Sequence, residues 1–122
     1  MLKPQYQEIF SIQAFVRIVN RLIMSRTGTP KEPILIGVGN ADGTGDGVMV
    51  AADDEALAHA YCTRGLTVRF SEFPGLTHTE AAVPFELAAR SFLDQRLAGI
   101  PAISQCAIIG KGNSLKPLKR VK

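Results

Sequence analysis

Residues 34–39 read Ile34-Leu35-Ile36-Gly37-Val38-Gly39 and run straight into Asn40-Ala41-Asp42-Gly43-Thr44-Gly45-Asp46-Gly47. A short, β-branched, continuously apolar run that breaks at once into glycine and aspartate is the pattern of a strand buried on both faces of a parallel sheet, ending in a loop. Downstream, residues 52–64 place Asp53, Asp54 and Glu55 where a helix dipole favours anions. Leu57, Ala60 and Tyr61 then share one face, and Gly65 stands past the end, so this stretch reads as a helix. Leu66, Val68 and Phe70 alternate with Thr67, Arg69 and Ser71, which predicts a second strand with one face more exposed. The loop FPGLTHTE, carrying His78, follows it. Pro84 at a helix start, then Phe85, Ala88, Phe92, Leu93 and Leu97 at helical spacing, with Gly99 and Pro101 beyond, predict another helix.

Upstream of the first strand, Ile12, Phe15, Val16, Val19, Leu22 and Ile23 recur at intervals of three and four between Ile9 and Met24, with Gln13, Arg17, Asn20 and Arg21 between them. That is an amphipathic helix, which Gly28, Pro30 and Pro33 terminate. The order is therefore α, then β-α-β-α, then a tail, and the fold class is α/β. A strand, helix, strand succession is a parallel crossover, and parallel strands are normally covered by helices on both faces. Two strands alone make a marginal sheet, so the chain reads as the end of a larger α/β domain or as one that borrows strands from a partner.

Composition sets the outer limits. The 122 residues are 46% hydrophobic and 20% charged, the balance of a globular chain. No apolar run approaches the roughly 18 residues of a membrane span, and the first 30 residues lack a short apolar region followed by a small-residue cleavage site. No transmembrane segment and no secretion signal are expected within these residues. The net charge of +3 hides three zones: +4 over residues 1–31, −6 over 32–110 and +5 over 111–122. Because the C-terminal excess sits in Lys111, Lys116, Lys119, Arg120 and Lys122 rather than across a folded face, nucleic acid is not an expected partner. The expected divisions are 1–32 for the helix and linker, 33–106 for the α/β segment, and 107–122 for a basic, disordered tail. Cys62 and Cys106 permit one disulfide or two buried thiols, and their spacing matches no zinc site. If bridged, they close a loop worth about 4 kcal/mol.

In an open parallel sheet, reactive groups collect beyond the carboxyl ends of the strands, where both unusual loops fall. An acid from the first loop and His78 from the second could share a hydrogen bond that fixes the imidazole tautomer, as a general base activating a serine requires. The bland alternative is that Asp and Gly are ordinary turn formers and that His78 is merely exposed. His59, between alanines on a helix, reads as a surface or packing residue. A calcium reading competes for the first loop, since Asn40, Asp42, Thr44, Gly45 and Asp46 fall on positions 1, 3, 5, 6 and 7 of an EF-hand-like pattern; position 12 is Ala51, so the bidentate carboxylate is missing. Phosphate binding is disfavoured, because Gly37 and Gly39 do not complete G-x-G-x-x-G and two aspartates would repel the anion.

Residues 33–106 resemble the C-terminal part of LIP-type secretory lipases, serine hydrolases of the α/β-hydrolase fold. The resemblance lies in the strand ending in Gly39-Asn40-Ala41-Asp42, in Tyr61-Cys62-Thr63-Arg64-Gly65, in Gly75-Leu76-Thr77-His78, and in Arg96-Leu97-Ala98-Gly99-Ile100-Pro101 followed by Cys106. It implies that residues 33–106 are the β-α-β-α end of a hydrolase sheet. It further implies that His78 is the catalytic base and that the acid is Asp42, when aligned on the strand, or Asp46, when aligned on the Asp46-Gly47-Val48-Met49-Val50 segment before the helix. Asp42 is the first choice and Asp46 the alternative. The resemblance also implies a Cys62–Cys106 disulfide, an ester or lipid substrate, no cofactor, and a secreted parent protein.

The chain departs from that pattern at the nucleophile. None of Ser11, Ser25, Ser71, Ser91, Ser104 and Ser114 lies in G-x-S-x-G. Loss of the serine from such a triad costs on the order of a millionfold in turnover, so these residues alone are expected to be nearly inactive. Three expectations therefore stand: the acid and histidine half of a lipase or carboxylesterase, a non-catalytic interaction module that pairs strands and oligomerises, and a calcium-binding loop.

Overall fold

The computed structural model describes residues 8–24, 28–115 and 120. The chain divides into two compact units, residues 1–28 with 116–122 and residues 29–115. In the first unit a 3₁₀ turn, Glu8–Ser11, precedes helix α1, Gln13–Arg21, which is shorter than the expected 9–24. Val16 is buried, and the rings of Phe10 and Phe15 meet edge to face with centroids 5.6 Å apart. Of the basic tail, residues 116–119, 121 and 122 lie outside the described residues, and Arg120 is exposed.

The second unit holds strand β1, Ile34–Asn40, helix α2, Ala51–Thr63, strand β2, Val68–Pro74, and helix α3, His78–Leu97. The strands pair in parallel, with Ile34 opposite Val68 and Asn40 opposite Pro74. Side chains alternate across a strand, so Ile34, Ile36, Val68 and Phe70 share one face. There they pack with Ala58 and Tyr61 of α2 and with Ile109. Gly37 points to the other face, where a Cβ would collide with the Phe85 ring of α3. The sheet thus lies between one helix on each side. Filling this core stabilises by roughly 1.5–3 kcal/mol for each large apolar side chain removed from water.

Residues 107–115 do not form the start of the solvated tail expected from 107 onward. Cys106 is joined to Cys62 of α2 by a disulfide. Ile109 is buried in the core, the Gly110 N–H donates to Glu55 at 2.9 Å, and Asn113 reaches both the Ala52 carbonyl and the Asp53 carboxylate at 2.9 Å. Five basic side chains pointed to solvation, but the apolar pair Ile108-Ile109 and two glycines precede most of them. Gly110 and Gly112 press so closely on α2 that a Cβ at either would meet Glu55 or the backbone of Ala52. Residues 107–115 are therefore docked.

The start of α3 also differs from expectation. The helix begins at His78, not at Pro84, because Thr77 and Glu80 cap it: the Thr77 N–H and hydroxyl donate to the Glu80 carboxylate at 2.9 and 2.6 Å. Pro84 sits inside the helix, in its second turn, where it lacks the N–H that would bond the Glu80 carbonyl. The first residue of the helix is therefore His78. Among the described residues, no helix is long and apolar enough to cross a membrane.

Candidate functional site

Both loops at the carboxyl ends of the strands are shaped by their own side chains. In the first, Asp42 closes a turn on itself, with its Oδ1 accepting from the Thr44 N–H at 2.8 Å, the Thr44 hydroxyl at 2.7 Å and the Gly45 N–H at 3.0 Å. Four residues on, Asp46 repeats the device: its Oδ1 accepts from the Val48 and Met49 N–H groups at 2.9 and 2.7 Å. Its second oxygen is left over. That oxygen accepts a hydrogen bond from Nδ1 of His78 at 2.8 Å.

The second loop is tied to the first through the main chain. The His78 N–H donates to the Asp46 carbonyl at 2.9 Å, and the Gly75 N–H donates to the Asn40 carbonyl at 2.8 Å. Gly39 makes the approach feasible, because a Cβ there would collide with the Leu76 carbonyl and crowd the Asp46 Cβ. A glycine at the end of β1 thus lets the acid's loop and the histidine's loop meet over the strand tip.

Burial separates the two aspartates. Asp46 is 3% exposed, whereas Asp42 lies on the surface. The expectation that Asp42 would orient His78 is corrected: its carboxylate is spent on its own turn, and Asp46 holds the imidazole. Residues 41–45 form a self-contained turn closed by the Ala41 N–H on the Gly45 carbonyl. That turn inserts between strand and acid without moving the acid relative to α2.

Asp46 is held ionised. Hydrogen bonds from the Met49 N–H, His78 and the Val48 N–H outweigh burial and bring its pKa to about 2. With the carboxylate charged and acceptor-only, Nδ1 of a neutral His78 must carry the proton, so Nε2 presents its lone pair. The His78 side chain is 55% exposed, and its Nε2 has no hydrogen-bond partner among the described residues. Beside it lies a cavity of about 380 Å³, walled by Gly37, Gly39, Met49, Phe73 and Phe85, with Asp54 also on its lining. Asp54 is half-buried, and burial first, then the charges of Asp46 and Asp53, push its pKa up. No reading of the sequence singled out Asp54 as part of the site; its place in the first turn of α2, directly after the Asp46 turn, was the available signal.

At the loop of the calcium alternative, Asp42 Oδ1 and Asp46 Oδ1 accept loop N–H groups and Asp46 Oδ2 meets His78, and no three acidic, histidine or cysteine side chains come together among the described residues. His59 stays on α2, half-buried and apart from the cavity lining. Comparison of the chain with family models, with curated proteins and with solved structures finds no match.

Proposed function

We propose that residues 29–115 supply the acid and base of a serine hydrolase acting on carboxylic esters, as in the C-terminal part of a secreted lipase or carboxylesterase, with the nucleophilic hydroxyl supplied from outside this chain. The observation that carries the reading is the Asp46 Oδ2 to His78 Nδ1 hydrogen bond at 2.8 Å, with His78 on the lining of the cavity and its other ring nitrogen without a hydrogen-bond partner among the described residues. In that arrangement Nε2 takes the proton of a serine hydroxyl as it attacks the ester carbonyl. Asp46 stabilises the imidazolium that forms, and Nε2 then returns the proton to the leaving alcohol. The apolar wall of Met49, Phe73 and Phe85 suits an acyl or alkyl group better than a charged one. A disulfide between Cys62 and Cys106 agrees with an exported parent.

Nitrogen-15 NMR of His78 above neutral pH tests the pair directly. The expected result is a protonated Nδ1 and a bare Nε2, with Asp46→Asn shifting the balance toward protonated Nε2. A ring already protonated on Nε2 in the unaltered chain, or a tautomer indifferent to Asp46→Asn, removes the general-base reading.

A further inference from the structure

Three acids stand in a row at the start of α2, and two of them are engaged. Asp53 accepts from the Asn113 side chain and Glu55 from the Gly110 N–H, each at 2.9 Å. Asp54 lies between them, half-buried on the cavity wall that also carries His78, and its carboxylate accepts no hydrogen bond and joins no ion pair among the described residues. A carboxylate partly removed from water with nothing opposite it weakens the fold, the more so beside Asp46 and Asp53. Unpaired ionisable groups of this kind collect where a ligand supplies the missing partner.

The rest of the lining decides what that partner is. Its ionisable side chains are Asp46, Asp54 and His78, and no lysine or arginine stands among them. Asp46 is ionised, and a neutral His78 hydrogen-bonded to it presents a lone pair at Nε2. To an occupant these side chains therefore offer acceptors and negative charge. Most of the remaining wall is hydrocarbon, including the rings of Phe73 and Phe85, and aromatic surface accepts an alkyl chain while also tolerating an organic cation. A carboxylate or phosphate would meet Asp46 and Asp54 with no compensating cation. A neutral alkyl group would cover Asp54 and leave it unpaired.

We propose that Asp54 is a specificity-determining residue that pairs with a protonated amine, so that the cavity takes a hydrocarbon chain bearing an ammonium group. The chain lies along Met49, Phe73 and Phe85, and the ammonium donates to the Asp54 carboxylate. Pairing restores the stability that the bare carboxylate costs, which couples occupancy of the cavity to the strength of the fold. As a statement about substrates this rests on the hydrolase reading, and it names the class: esters that carry a protonated amine, in preference to plain alkyl esters.

Titration of the nitrogen-15- and carbon-13-labelled full chain at about pH 8 with n-hexylammonium, 1-hexanol and hexanoate tests it, read from the amide shifts of Gly37, Gly39, Ala81 and Ala82 and from the Asp54 carboxyl shift. Hexylammonium should bind at least about tenfold more tightly than hexanol, and hexanoate more weakly than either. Asp54→Asn should bring hexylammonium to within about twofold of hexanol, whereas Asp53→Asn, which alters the acid engaged with Asn113, should keep the preference. Equal binding of ammonium and alcohol, a preference for hexanoate, a preference that survives Asp54→Asn, or no binding of any probe at tens of millimolar would overturn the proposal. The His78 tautomer is measured separately. Ammonium preference with the ring proton on Nε2 would keep the ammonium site and remove the hydrolase reading, and a proton on Nδ1 without ammonium preference would remove the ammonium site alone.

Discussion

Asp42 and Asp46 stand four residues apart in one loop and do almost the same thing locally: each accepts N–H groups two and three residues ahead and closes a turn. Each is also held near the same acidity, with a pKa of about 2, Asp42 by Thr44 and Gly45 and Asp46 chiefly by Met49. They differ in what happens to the second oxygen. Asp42 is exposed, while Asp46 is buried under the tip of β1 with that oxygen against His78. A depressed carboxyl therefore does not single out the aspartate that holds His78. Loop hydrogen bonds alone depress it, and burial beside the imidazole is what distinguishes Asp46.

The largest expected separation of the two is in catalysis. In a complete hydrolase containing this segment, Asp46→Asn should lower kcat/KM by on the order of 10³–10⁴, because the ring would lose both its tautomer and the charge that stabilises it. Asp42→Asn, which touches only its own turn, should stay within about threefold. Hydrolysis of a soluble short-chain ester measures both, and an equal loss would erase the distinction between the two turns.

Next in size is the glycine that brings the loops together. Gly39→Ala drives a methyl into the Leu76 carbonyl and the Asp46 Cβ and should cost about 1–3 kcal/mol, together with loss of the His78 tautomer preference. Gly43, in the Asp42 turn, has φ +85° with nothing within 4 Å of an added Cβ. Gly43→Ala should therefore cost only the left-handed strain, about 1 kcal/mol, and leave His78 untouched. Urea unfolding and the ring nitrogen shifts separate the two variants; a disturbed His78 in Gly43→Ala would mean that the turns are coupled.

Acid should fail to tell the aspartates apart. Both have folded pKa values of about 2 against an ordinary 3.8, so each contributes stability that is present above about pH 4 and lost as the pH falls toward 2. Melting temperature followed from pH 5 to 2 should drop, and either Asp→Asn change should flatten that drop. A flattening confined to Asp46→Asn would show that the Asp42 turn opens in solution.

What could be read in advance follows from where the physics is local. β1 and α2 were legible because an apolar run broken by glycine, and acids at a helix start, need no tertiary context. The place of Asp and His beyond adjacent strand ends followed from strand order alone. Three features were misread for one reason, competition between two valid local signals. At α3, Pro84 outweighed the Thr77 and Glu80 cap; after Cys106, scattered lysines outweighed Ile109 and the glycines; in the first loop, distance from the strand outweighed distance from the helix. In the last two cases the deciding quantity was a contact between segments far apart in sequence, such as Gly39 with Leu76 or Gly110 with Glu55.

The smallest effect comes from the neighbour that senses only one of the two turns. Asp54 lies on the cavity wall, and after burial the charge of Asp46 is the chief influence raising its pKa, while Asp42 exerts none that registers. A carboxyl whose folded pKa lies above its unfolded value weakens the fold at neutral pH and gives that stability back as the pH falls through the folded pKa toward 3.8. Asp54→Asn should thus raise the melting temperature slightly at pH 7 and remove a shallow rise in stability on mild acidification, the opposite slope to that of Asp46. Carbon-13 titration of the Asp54 carboxyl sharpens the contrast: Asp46→Asn should move its midpoint down toward the ordinary value, and Asp42→Asn should leave it in place. A midpoint that responds equally to both substitutions would mean that the Asp42 carboxylate also reaches the cavity, and the separation of the two turns would be lost.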